Sequence, residues 1–202
     1  MEQVRDSYLT IGADAEAAIR ERSSKFLAYA FHVESEGEIA GHLERLRKRY
    51  YDATHHCYAW RLGPEGERFR ANDDGEPSST AGKPILGQML SHDLTDCLIV
   101  VVRYFGGTKL GVPGLIAAYK ESAAAVIEVA EIVERTVDTI FKVEFPYVAM
   151  NEIMRIVKEE QPVVKGQTFD NLCVMTLAVR RGRADAVLGR LGKVEGASIE
   201  VI

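Results

Sequence analysis

The sequence predicts an α+β fold in two domains, and three observations carry that prediction. Aromatic, partly alternating segments near residues 25–33 and 56–62 flank a segment of helical period. CLIVVV, residues 97–102, is the continuous β-branched run expected of a strand buried on both faces, and a glycine-rich loop then leads into a long helix. Beyond residue 136 the apolar period switches in the order strand, helix, strand, strand, helix, strand.

Taken in order, KFLAYAFHV at 25–33 predicts a strand. Residues 36–50 place Ile39, Leu43, Leu46 and Tyr50 at helical spacing and leave Arg45, Arg47, Lys48 and Arg49 mostly to solvent. Residues 56–62 read as a second strand, after which RANDDGEPSSTAGKP breaks the pattern with turn residues. A short helix is expected over 85–92, then the buried strand at 97–102. Past the glycine loop, Leu115, Tyr119, Ser122, Val126 and Val129 mark one face of a helix whose opposite stripe is alanine-rich.

In the second domain Thr139, Phe141, Val143 and Phe145 alternate with Ile140, Lys142 and Glu144, as a strand requires. Met150, Ile153, Met154 and Val157 share a face over 148–160. Strands at 163–169 and 172–179 form a hairpin across Asp170 and Asn171. Ala184, Val187, Leu188 and Leu191 mark a helix over 183–194, and 197–202 is a last strand. The order βαββαβ is the ferredoxin-like split unit. A boundary near Arg135 gives domains at 1–135 and 136–202.

The 202 residues are 47% hydrophobic and 27% charged, the composition of an ordinary globular protein. With no apolar run of membrane-spanning length and no leader-like N-terminal core, a cytoplasmic location without a membrane partner is expected. Cys57, Cys97 and Cys173 are too few and too scattered for a disulfide framework or a structural zinc site. The net charge of −5 lies wholly in the first 135 residues, because the remainder balances nine basic against nine acidic groups. Any polyanion site is therefore a local patch.

Three segments carry chemistry. RYFGGTKLGVPGL brings Gly106, Gly107 and Gly114 between a buried strand and a helix, with Pro113 near the helix start. Exposed N–H groups, the helix dipole, Lys109 and Arg103 suit a phosphate or carboxylate. Equally, the glycines serve a tight turn alone, and the loop matches neither GxGxxG nor GxxxxGK[ST]. ANDDGEPSSTAGKP bunches Asp73, Asp74 and Glu76, with Ser79 close behind; turn chemistry explains them better than a metal, and no metal or cofactor is expected. In THHCYAW, strand geometry lets His55 share a face with Cys57, or His56 with Tyr58. One histidine is expected to line a cleft; Cys57 is a possible nucleophile without an identified activator. The three segments are placed around one cleft.

DATHHCYAWRLG, NDDGEPSSTAGKPIL, the run from Gly82 to RYFGGTKLG, and GVPGLIAAYKESA occur in an order that resembles the IMPACT/YigZ family over nearly the whole chain. The resemblance implies a core domain to about Glu134 like ribosomal protein S5 domain 2 and elongation factor G domain IV. It also implies a ferredoxin-like domain akin to that factor's domain V. Eukaryotic relatives regulate translation through an additional N-terminal domain, and that kinase-pathway role is not carried over here. What the resemblance implies for this chain is an association with translation.

The first expectation is a binding module for RNA or the ribosome, with Lys25, Arg103 and Lys109 on phosphates and Tyr104 or Phe105 stacking on a base. A regulator with a protein partner ranks second. An enzyme acting on a small phosphorylated or peptide-like substrate through His55, Cys57, Asp74, Glu76, Arg103 and Lys109 ranks third.

Overall fold

The computed structural model describes residues 6–170 and 172–202. The chain divides into two compact units, Tyr8–Arg135 and Thr136–Ile202, the second joined by residues 6 and 7. Both are α+β. Within the second, Asp6 holds Arg180 at 2.8 Å.

The first unit runs β1 (Ser7–Ile11), β2 (Ala15–Glu21), β3 (Ser24–His32), α1 (Glu36–Arg49), β4 (His55–Leu62) and β5 (Arg68–Asn72). It continues with α2 (Gly82–Ser91), β6 (Cys97–Tyr104), α3 (Gly111–Val129) and β7 (Ile132–Thr136). Five strands form an antiparallel sheet in the order β2-β3-β6-β4-β5, and β1 pairs with β7. The run CLIVVV is thus the middle strand, inserted between β3 and β4.

Its alternation builds two cores. Cys97, Ile99 and Val101 pack with Phe26, Cys57, Ile85, Met89 and Tyr119, so α2 and α3 lie over one face. Leu98, Val100 and Val102 pack with Tyr29, Trp60 and the α1 residues Ile39, Leu43 and Leu46 on the other. Helix α1 has matching ends: the Ser35 hydroxyl accepts from the Glu38 N–H, acidic residues occupy the first turn, and Arg47, Lys48 and Arg49 the last. Those charges oppose the partial charges of the helix dipole.

Strands β1, β2, β5 and β7 are absent from the sequence expectation for a common reason: their patterns carry little apolar signal. In β2 only Ala15, Ala17 and Ile19 pack inward, while β5 is an edge strand with Phe69 exposed. On α3 the buried stripe includes Ala118, Ala123 and Ile127, whereas Val129, at the helix end, is exposed. The small residues let α3 approach the sheet closely.

The second unit runs β8 (Asp138–Pro146), a 3-10 turn (Tyr147–Ala149), α4 (Met150–Glu160), β9 (Val163–Phe169), β10 (Leu172–Arg180), α5 (Arg181–Leu191) and β11 (Ser198–Val201). The antiparallel order β11-β8-β10-β9 is ferredoxin-like. Phe141, Val143, Phe145, Met175 and Leu177 meet Ile153, Ile156, Val187 and Leu191 in its core. Ile156 rather than Met154 faces the sheet; the inward stripe of α4 passes through Met150, Ile153, Ile156 and Val157, leaving Met154 exposed. Asn171 of the expected hairpin turn lies outside the described residues. Among the described residues no helix is long and apolar enough to cross a membrane.

One contact joins distant parts of the first unit. The β2–β3 turn, with Arg22 at φ 47°, brings the Ser23 backbone against Gly106. A Cβ on Gly106 would lie 1.9 Å from the Ser23 carbonyl oxygen, whereas one on Gly41, inside α1, would meet nothing within 4 Å. Urea denaturation should therefore separate two formally identical changes. Gly41→Ala should stabilise by about 0.5–1 kcal/mol through helix propensity, and Gly106→Ala should destabilise by about 1–3 kcal/mol through overpacking.

Candidate functional site

The candidate site forms where the starts of β3 and β4, the end of β6, and the loops at residues 73–81 and 105–110 meet. Strand register decides its membership. His55 and Phe26 are both paired with Arg103, so these three side chains share the α2/α3 face, while His56, paired with Val102, turns to the α1 face. The two pairings inferred from strand geometry therefore coexist: His55 with Cys57 on one side, His56 with Tyr58 on the other.

Arg103 is the centre. It ends a strand buried on both faces, is only 5% exposed, and so requires a partner. Its Nη1 donates to Glu76 Oε1 at 2.5 Å, and its Nη2 donates to the Ser24 hydroxyl at 3.3 Å. The guanidinium also lies 5.4 Å from the Phe26 ring and 5.6 Å from the Phe105 ring. Its Nε is buried without a hydrogen-bond partner. Glu76 Oε1 accepts in addition from the Tyr119 hydroxyl at 2.8 Å, and His55 Nε2 stands 3.8 Å away. Arg103, expected as a cation for phosphate, is thus paired with a carboxylate in this structure.

The three carboxylates of the acidic loop separate instead of clustering. Asp73 caps α2: it accepts from the N–H groups of Ser79 (2.8 Å), Ala81 (3.0 Å) and Gly82 (2.9 Å), satisfying donors that open the helix. Burial opposes its ionisation, but the N–H groups of Ser79, Gly82 and Ala81, with Lys83 nearby, outweigh it and hold the carboxyl below its ordinary range. Asp74 turns toward the other face, accepting from the His56 N–H at 2.6 Å and lying 3.6 Å from Arg47 of α1. Burial lowers the His56 imidazole from its ordinary value. Glu76 takes the interior. Among the described residues no three His, Cys, Asp or Glu side chains are arranged to hold a metal ion.

Cys57 faces the interior beside this cluster. Its thiol is buried, 3.0 Å from the Asp73 carbonyl and 3.3 Å from the Tyr119 hydroxyl, and burial pushes it far above the ordinary thiol value. Ser79 contributes its N–H to Asp73 from a left-handed backbone, φ 66°. Lys25 pairs with Tyr104 in register and lies on the α1 face, away from Arg103. Tyr104 donates to Asp52 at 2.8 Å, and that bond, together with burial, pushes the phenol up to about 12. Lys109 and Gly107 are exposed, and Phe105 is 47% exposed. Gly114 lies within α3, where a Cβ would sit 3.1 Å from Leu110.

The structure adds Ser24, Thr54, Arg22 and Tyr119 to this neighbourhood. Thr54 Oγ1 accepts from the Phe105 N–H at 3.2 Å, and Arg22 Nη1 donates to the Lys109 carbonyl at 3.5 Å. Tyr119 was legible only as a packing residue. Its hydroxyl was the signal, because a buried tyrosine O–H needs a partner.

A protein-family model described as the Impact N-terminal domain matches residues 22–127, half of the chain. The chain belongs to the IMPACT family. IMPACT family member YvyE of Bacillus subtilis (strain 168) is 36% identical over 159 residues, covering 79% of this chain and 73% of its own. An IMPACT family member from Thermus thermophilus is 41% identical over 127 residues, covering 62% and 68% respectively. A solved structure described as a hypothetical protein superposes with a TM-score of 0.73 at 24% identity over 98% of both chains, a likeness of fold. The IMPACT match spans every residue of the cluster from Ser24 to Tyr119.

Two outcomes test this geometry. Arg103→Ala or Glu76→Ala leaves a buried charge unpaired and should each lose about 3–5 kcal/mol in denaturant melts. A double-mutant cycle should return strong coupling between them. Asp73 contributes stability above the carboxyl value of the unfolded chain, and that contribution fades as pH falls through its lower folded value. Wild type should therefore lose stability on acidification below about pH 4 more steeply than Asp73→Asn, which at pH 7 should already be weaker by about 1–2 kcal/mol.

Proposed function

We propose that this IMPACT-family chain is a translation-associated binding protein that contacts RNA, as presented by the ribosome, through the rim of the glycine loop. One observation carries the reading. The half-exposed Phe105 ring and the Lys109 side chain share a loop pinned by Arg22, at the start of a 19-residue helix that has neither a side-chain cap nor an acidic first turn. Cations and free N–H groups at a helix start suit phosphate, and an exposed aromatic ring suits an unstacked base. Arg103 does not contact the ligand in this reading. It lies beneath Phe105 and, with Glu76, holds the loop in place. The net charge of −5 restricts binding to this patch and keeps nonspecific affinity low.

A protein partner is the second reading. Val112 and Ile116, four residues apart on α3, expose apolar surface next to the same loop. Such a surface fits a partner's apolar side chains better than a phosphate backbone.

Cosedimentation with ribosomes and with ribosomal RNA over a salt series tests the proposal. Wild type should bind with an affinity that falls steeply as salt rises. Lys109→Ala and Arg22→Ala should each lower the slope of log affinity against log salt by about one. Phe105→Ala should weaken binding by about 1–3 kcal/mol with the slope retained. Absence of binding at low salt by the folded protein overturns the RNA reading, and a stoichiometric protein partner without RNA supports the second.

A further inference from the structure

His55 is held in one tautomer. Its Nδ1 lies 2.8 Å from the carbonyl oxygen of Asp74. A carbonyl only accepts, so Nδ1 carries the ring proton. In the neutral ring Nε2 is then a lone pair, 3.8 Å from a Glu76 oxygen that itself accepts from Arg103 and Tyr119. In that form two acceptors stand near one another with no proton between them. The pair calls for a donor.

Charge narrows what that donor is. Glu76 is already paired with Arg103 at 2.5 Å, so its carboxylate has no need of a second cation. A neutral O–H answers this better than an ammonium group. Access is adequate, because the His55 side chain is 18% exposed and its neighbours Thr54 and Gly75 are exposed.

We propose that His55, backed by Glu76, receives the 2′-hydroxyl of a ribose, so that this site distinguishes RNA from DNA. The inference rests on the RNA reading above and assigns the sugar to it. Phosphate falls to Lys109 and Arg22, the base to Phe105, and the ribose to His55. The spacing is continuous: the Phe105 N–H bonds Thr54, the neighbour of His55, and Arg103 touches both Phe105 and Glu76. The 2′-hydroxyl is the group that separates the two nucleic acids chemically.

The test measures affinity for a single-stranded RNA oligonucleotide and for its 2′-deoxy counterpart of identical sequence, with wild type, His55→Ala and His55→Phe. Thermal melting verifies that each variant folds. Wild type should prefer RNA by about fivefold, the worth of one hydrogen bond. Both variants should lose that preference by weakening RNA alone, with the DNA affinity and the salt slope unchanged. Equal binding of RNA and DNA by wild type overturns the inference while leaving the RNA reading intact. Equal loss of both ligands in the variants, with a lower salt slope, makes His55 a phosphate-contacting cation and also overturns it. Binding of neither oligonucleotide by folded wild type overturns the inference together with the reading beneath it.

Discussion

A positive charge at the end of a strand buried on both faces is the constraint around which the first unit is organised. Arg103 cannot reach bulk water from the α2/α3 side of β6, so a carboxylate must come to it. Glu76 comes from a loop that follows β5, and Tyr119 comes from α3 to share the same oxygen. The ion pair therefore ties together a loop, the middle strand and the longest helix. Ser24 extends the tie to β3, and through the Gly106 N–H to the glycine loop. Such a pair adds little net stability over an apolar replacement. Its effect is positional, because each loop has one arrangement in which the charges are satisfied.

That constraint explains why a cluster of acidic residues is not an acidic site. Asp73, Asp74 and Glu76 leave the loop in three directions, toward a helix start, a strand N–H and a buried guanidinium. The non-glycine left-handed residues Asp74 and Ser79, with Gly75 between them, are what turn the chain sharply enough for this. Backbone strain of this kind persists only where surrounding bonds over-determine it. Here the helix cap and the ion pair supply those bonds.

Most of the fold was legible because burial writes itself into apolar period. The run of β6, the alternation of β8 and the helical spacing of α1 all follow from faces that must leave water. Strands whose neighbours are solvent leave no such mark, which is why β2, β5 and β7 were not. The site was legible in its residue types and not in its pairings. Arg103 and Lys109 look alike as cations six positions apart, yet one is enclosed by Glu76 and the other is exposed. Lys25 joined them on charge alone, and strand parity puts it on the opposite face. Which carboxylate meets which cation depends on register between segments some thirty residues apart, and no local pattern encodes that.

The strand order also sets a sequence of events in time. Both neighbours of β6 precede it in the chain, and β3 and β4 do not pair with each other in the finished sheet. A growing chain thus holds two incomplete sheet edges until residues 97–104 arrive and fill the gap between them. Closing it requires pairings across some seventy positions, the non-local kind that makes folding slow. The same step carries Arg103 to Glu76. Completion of the sheet and the meeting of Arg103 with Glu76 therefore depend on the same strand, and a chain stalled before β6 would have neither.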